Sequence, residues 1–421
     1  MKRYAMLETG WGKALFGAFL FAMLLLARDT LVTSCIIGFS KSQFLMLGVI
    51  VLYAMVFLIR NHIQWKSILT DKRIWMLIFS ALILLLPMVG KQDWQMMYLS
   101  ILICLFFAVF LTFFTSWQET AKYYVVILGA LGLYSLVGMY VLKPLAMAGR
   151  ITVPVFTNSA GMDFFNFGLT FVVPWEFWHR NFGIFREPGA YQFFLILGIY
   201  LNHYGIQWKH GWTMWLVTAV LAATLVSTFA IGGFIELGLL AVFTYFDRKW
   251  YRTKAGKAVG VGAAVAMAAV VLHIISQIQT PYFELTVYYE FYDMFRRLTT
   301  DSDSLVDRIS AIFVSADLFL KNPILGDTIA NVLHGTAHNT SSTLILFAIL
   351  GIAGGSLNVA AWIALLWKKD RSVIGNLMLM LILFMSFNTQ NLVADVFFWL
   401  FPYMALTEML LPKLKLPERK V

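Results

Sequence analysis

Long apolar runs separated by short polar turns set the pattern of this chain. They fall at residues 14–27, 43–59, 74–89, 96–114, 123–142, 190–201, 212–229, 234–246, 259–275, 342–367, 373–387 and 396–411. Each approaches the ~20 residues a helix needs to cross a bilayer, so the pattern predicts about twelve spans in a single polytopic domain over residues 1–421. Two intervals, 143–189 and 276–341, stay polar for far longer than a turn requires. Inside the second, Asp303 or Ser304 can cap a helix that runs to Leu320 and stops at Asn322-Pro323. Leu305, Ile309, Ile312, Phe313, Ala316, Phe319 and Leu320 recur on it at helical spacing, a stripe suited to the top of a bundle or to a membrane surface. The fold class expected is all-α integral membrane, with a large helical loop outside the bilayer.

Composition agrees and charge adds direction. The chain is 60% hydrophobic and 13% charged, too apolar for a soluble core of 421 residues. Lys and Arg at the termini and in the turns at 60–73, 122, 209, 247–257 and 368–371 make up 21 of the 32, against 7 of the 22 acids. The net charge of +10 therefore divides into +14 on one side and −4 elsewhere. Positive loops mark the cytoplasmic face, which places both termini inside and both long loops outside; they also explain the basic balance without nucleic acid. The first run lacks a small-x-small cleavage site before Arg28 and reads as a retained span. Cys35 and Cys104 lie in apolar surroundings far apart and predict core packing, with no disulfide or metal site. Adjacent Arg28 and Asp29 are explained by an ion pair or by solvation at the outer end of the first span.

Candidate chemistry concentrates where the chain re-enters the apolar runs. Pro188 has its φ preset for a first helical turn, so Glu187 is a plausible cap for a span running inward. Its amides then face outward beside Arg186, a ready phosphate site. Before it, Phe164, Phe165, Phe167, Trp175 and Trp178 interleave with polar groups, as a segment anchored at the lipid interface requires. Arg308 falls on the edge of the apolar stripe of its helix, within reach of a lipid-borne group. His334, His338 and Asn339 precede the tenth span, which Asn339 or Thr340 would cap, giving a second outward helix end with a histidine able to exchange protons near neutral pH. Glu236, inside the eighth span, is a supporting candidate, because an acid there is costly and is usually paired or functional. Asp301-Ser-Asp303 lacks the α/β domain a metal-binding pair would need, His334 and His338 lack a metalloprotease glutamate, and no phosphate-cradling Gly-x-x-x-x-Gly-Lys loop occurs.

Arg308, Asn322-Pro-Ile-Leu-Gly326, His338-Asn339 and Leu350-Gly-Ile352 together resemble the signature region of the bacterial O-antigen ligase and polymerase superfamily. Phe185-Arg-Glu-Pro-Gly189 resembles its Wzy-type repeat-unit polymerase branch. The likeness covers the second half of the chain; the first five spans match in hydropathy alone. It implies a metal-independent glycosyltransferase of the GT-C class, without cofactor, in the bacterial inner membrane. Its substrates would be oligosaccharides on undecaprenyl pyrophosphate, polymerised on the outer face, with a chain-length regulator as a further partner. By the same resemblance Arg186 and Arg308 would hold the pyrophosphate, and His338 would take the acceptor proton or orient the acceptor, with Glu187 as the alternative base. Arg150, followed by Gly161, echoes an arginine-glycine pairing of some polymerases, and His334 and Asn339 would complete the substrate-binding set. A ligase moving the finished glycan to lipid A core or protein is the near alternative; a lipid-linked oligosaccharide transporter, which would need ionisable residues along the membrane midplane, is the more distant one.

Overall fold

The computed structural model describes residues 9–411 except 29, 61–69, 159–160, 176–178, most of 259–302, 335–339 and 389. The side chains of residues 35, 303–309 and 334 are likewise outside the description. The described chain is mainly helical, and eleven of the twelve apolar runs lie on its helices. These are α1 (Gly10–Leu25), α2 (Phe39–Arg60), α3 (Arg73–Gly90), α4 (Met96–Thr112), α5 (Trp117–Val137), α6 (Pro188–Tyr204), α7 (Gly211–Ser227) and α8 (Ile231–Asp247). After the 259–275 run come α9 (Asp303–Lys321), α10 (Ile329–His334), α11 (Ser342–Leu366), α12 (Val373–Phe387) and α13 (Val396–Leu410). Phe39–Arg60, Arg73–Gly90, Trp117–Met147 and Ser342–Leu366 are long and apolar enough to cross a membrane, and shorter apolar helices pack among them. The chain is thus an α-helical, membrane-embedded protein.

Local sequence explains the boundaries. Ser116 accepts from the Glu119 amide at 3.3 Å to open α5, and Ser372 and Asp395 do the same for α12 and α13. Pro188 opens α6 as its first residue, and α9 stops at Asn322-Pro323. One core, rich in Phe, Leu and Ile, runs through the bundle. α13 lies between α4 and α11, α6 is surrounded by α5, α7, α8 and α12, and α9 packs on α11.

Two ends follow from this alternation. At one, Arg73 reaches the Thr112 carbonyl, Arg248 the His203 carbonyl and Lys368 the Tyr204 carbonyl, so the basic turns gather there. At the other, Thr30 bridges to Phe185, Arg28 to Asn391 and the Ile329 amide to Asp93. Both polar intervals emerge at this second end, hereafter the mouth end.

The 143–189 interval contains an element absent from an all-α reading. Three short antiparallel strands, β1 (Val155–Thr157), β2 (Asp163–Asn166) and β3 (Phe171–Val172), pair in sequence order, with Val155 opposite Phe165 and Phe165 opposite Val172. Phe164 is fully buried in a small core with Leu31, Phe171, Val173 and Phe182 instead of lying at a lipid interface. Trp175 is exposed, and Trp178 lies outside the described residues.

α11 departs most from expectation. Gly351 at φ 63°, ψ −164° breaks it, and the two parts point in different directions. A straight helix would set Thr343 and Trp362 about 28 Å apart, yet both line one small cavity with Phe387. Residues 342–350 have Ser342 against Gln390 and Ile349 against Lys91, both mouth-end partners, so this part runs across the mouth end. The inward-directed part begins at Gly351, eleven residues beyond the expected start at Thr340. α9 shows a related difference: among its described side chains Ala311 and Ser315 are fully buried, whereas Ile312, Phe313 and Leu320 face outward.

Candidate functional site

The first turn of α6 forms one wall of the site. Glu187 occupies the cap position with extended backbone, but its side chain does not cap the helix. It pairs with Arg186 at 3.3 Å, and both side chains are 43% exposed. The pair therefore stands at the surface, where its guanidinium can exchange a carboxylate partner for a ligand anion at small cost. Below it Gly189 lies so close to Gln390 that a Cβ would collide with the Gln390 amide. One turn deeper on the same face is Gln192, 2% exposed.

The opposite wall is the start of α11. The Ser342 hydroxyl donates to the Gln390 carbonyl at 2.5 Å and accepts from the Leu392 amide at 2.9 Å. Asn388 Oδ1 accepts from the Ser341 hydroxyl at 2.9 Å and from the Thr343 amide at 3.1 Å. The segment 388–395 thus joins the α6 mouth to the α11 start through neutral amides and hydroxyls. Arg28 reaches Asn391 at 3.4 Å from the end of α1 and adds a cation beside this shelf.

The Asn322–Gly326 and Leu350–Ile352 motifs prove to be two halves of one joint. The Ile352 amide donates to the Pro323 carbonyl at 2.8 Å, the Asp327 amide to the Ala348 carbonyl at 2.6 Å, and Lys91 Nζ to the Asp327 and Ile349 carbonyls at 2.7 and 2.6 Å. Backbone groups that the break frees from the helix are thereby satisfied, as a low-dielectric setting demands. Only glycine fits at the two contact points: Gly326 and Gly351 both have positive φ, and a Cβ on Gly351 would run into the Ile324 carbonyl. Asp93 receives the Ile329 amide at 2.7 Å and docks α10 to the same joint. Burial lowers Lys91 to about 8, against the upward pull of Asp93 and Asp327.

Of the residues expected from sequence, the structure brings Arg186 and Glu187 to the shelf. Arg150 is exposed just after the helical extension of α5, and no described contact joins it to the shelf. His338 and Asn339, and the side chains of Arg308 and His334, lie outside the described residues; the chain resumes at Thr340, directly before the shelf. Arg28 reads from sequence as an ion-paired or solvated group, and Asn388, Gln390 and Gln192 were not singled out, because scattered neutral amides give no charge or spacing signal. Glu236 is fully buried beneath the α6 mouth, beside Gln192 and Ser386. A cavity of about 260 Å³ lined by Thr343, Asn358, Trp362, Phe384 and Phe387 opens below the shelf between α11 and α12. A larger space of about 700 Å³, lined by Lys13, Glu119, Lys122 and Gly205, lies at the basic end. That space lies among Lys13, the first turns of α5 and the turn after α6, remote from the joint, and the mouth end is the stronger candidate on the chemistry of its groups. No family model, curated protein or solved structure matches the chain.

Proposed function

We propose that this chain is a Wzy-type repeat-unit polymerase, an integral-membrane glycosyltransferase of the GT-C class in the bacterial inner membrane. It would span the membrane about twelve times, with the basic end in the cytoplasm and the mouth end outside. The observation that carries the reading is the meeting of the resemblance-bearing segments: Asn322–Gly326 clasps Leu350–Ile352, and Phe185–Gly189 and the start of α11 both abut segment 388–395.

In this reading a hydroxyl on the terminal sugar of one lipid-linked repeat unit attacks the anomeric carbon of a glycan on undecaprenyl pyrophosphate. The bond from that carbon to the pyrophosphate oxygen breaks, the electron pair leaves with undecaprenyl pyrophosphate, and the hydroxyl proton passes to His338, with Glu187 as the alternative acceptor. Arg186, Arg308 and the outward amides of α6 would balance the charge of the leaving group as it develops, most effectively where water is scarce. Pyrophosphate leaves readily, so one base suffices.

Purified protein with undecaprenyl-pyrophosphate-linked repeat units should give a ladder of longer lipid-linked glycans on a gel. Arg186→Ala, Arg308→Ala and His338→Ala should abolish it without loss of folded protein. Glycan transfer that occurs only when lipid A core or a protein acceptor is supplied would replace the polymerase with the ligase. Movement of intact lipid-linked glycan across vesicles without bond formation would replace both with the transporter.

A further inference from the structure

Glu236 is an acid set within the described apolar helices, away from the charged ends of the bundle. It is the sixth residue of α8, about 7.5 Å below the mouth-end start of that helix. It is fully buried and forms no ion pair among the described residues, and neither carboxyl oxygen meets a donor in hydrogen-bond geometry. Gln192 of α6 and Ser386 of α12 lie beside it, at 2% and 1% exposure. Gln192 is held there by two glycines: a Cβ on Gly232 would stand 2.8 Å from its Nε2, and one on Gly233 3.2 Å from its Cγ. Its Nε2 also lacks a partner, and a half-turn of the amide exchanges that nitrogen for the oxygen.

The described helices packed around it offer no counter-charge. α7 and α12 carry no ionisable residue; α6 adds Tyr191, Tyr200, Tyr204 and His203; α8 itself adds Tyr245 and Asp247 near its other end. Arg186 and Glu187 stand above, paired with each other. A carboxylate left alone in such a place costs several kcal/mol, so something small and positive has to accompany it. Oxygen ligands from three mutually packed helices suit a hard monovalent cation.

We propose that Glu236, Gln192 and Ser386 form a monovalent-cation site that ties α6, α8 and α12 together beneath the mouth, independently of whether the protein transfers glycans. The cation is sodium or a proton, and two measurements on the purified full-length protein in detergent separate them. With sodium, melting in NaCl at pH 8 runs about 2 °C above melting in choline chloride of equal ionic strength. Glu236→Gln removes that difference. With a proton, melting is indifferent to sodium, and dicyclohexylcarbodiimide, which adds to protonated carboxyls in apolar surroundings, modifies Glu236, less so as pH is raised from 6 to 9. Mass spectrometry of the peptide locates the adduct. Absence of both a sodium shift and an adduct on Glu236 in the wild-type protein overturns the proposal. Both readings come from that protein, so they decide the matter even if Glu236→Gln fails to fold.

Discussion

The two ends of the bundle solve opposite problems. At the basic end, cations close helix C-termini. Arg248 and Lys368 take the last carbonyls of α6, and Arg371, with a side chain 5% exposed, pairs with Asp247 at 3.1 Å while donating to Leu366 and Asn376. Among the described side chains, that half of the bundle leaves His203 Nδ1, the Tyr53 hydroxyl and Trp362 Nε1 without a partner. At the mouth end many partners are neutral amides and hydroxyls, beside charged groups such as Lys91 and Asp93, and Gln43, Thr170, Gln192, Glu236, Thr340 and Thr343 keep polar atoms unpaired. Cations are more numerous at the end where they are already satisfied; more of the unsatisfied polar groups among the described residues lie at the other end. A site is better sought by the second property than by the first.

Substitutions can break that contrast, beginning with the joint. Gly351→Val places a side chain against the Ile324 carbonyl in a conformation open to glycine alone, and should cost about 3 kcal/mol or more, read as loss of monodisperse protein in size-exclusion chromatography. Arg371→Ala strands Asp247 and should cost about 3 kcal/mol in stability. Polymerisation per folded molecule should nonetheless be unchanged, which marks the basic end as scaffold. Asn388→Ala removes the acceptor for Ser341 and Thr343; a loss of about 1–2 kcal/mol is expected together with more than a tenfold fall in ladder formation. Equal losses in both readouts would instead make the shelf mere structure. Arg186→Ala should change stability by no more than about 0.5 kcal/mol while abolishing the ladder.

The smallest effect concerns Lys91. Its folded-state value of about 8 lies below that of an unfolded lysine. Between the two the unfolded chain binds more protons, so this group's contribution to stability rises with pH. The cost of its buried charge is complete below pH 8 and is relieved as pH approaches the unfolded value. The melting-temperature difference between wild type and Lys91→Met should therefore widen in favour of wild type from pH 8 to 10.

Much of the scaffold was legible because hydropathy registers burial in lipid directly, and Pro188 and Asn322-Pro323 marked their boundaries for reasons of φ and missing amides. The strands at 155–172 were not, since runs of two to four residues are too short for a period-two pattern to emerge. The bend at Gly351 was hidden because Leu350-Gly-Ile352 interrupts no apolar run. Its cause lies earlier in the chain, in Pro323 and Ile324, and further back still at Lys91. Pro188 alone placed Arg186 and Glu187 at a helix start, whereas Gln390 acquires meaning only once Gly189 is seen against it.

The joint also bears on the order of assembly. As it leaves the ribosome, the 342–366 stretch has the length and hydropathy to enter the membrane as one straight helix. It can bend only when Pro323, Asp327 and Lys91 are at hand to take over the backbone groups that bending frees. Lys91 belongs to a hairpin made more than two hundred residues earlier, so the shape of the mouth is settled late, by closure between parts of the chain that have each already crossed the bilayer.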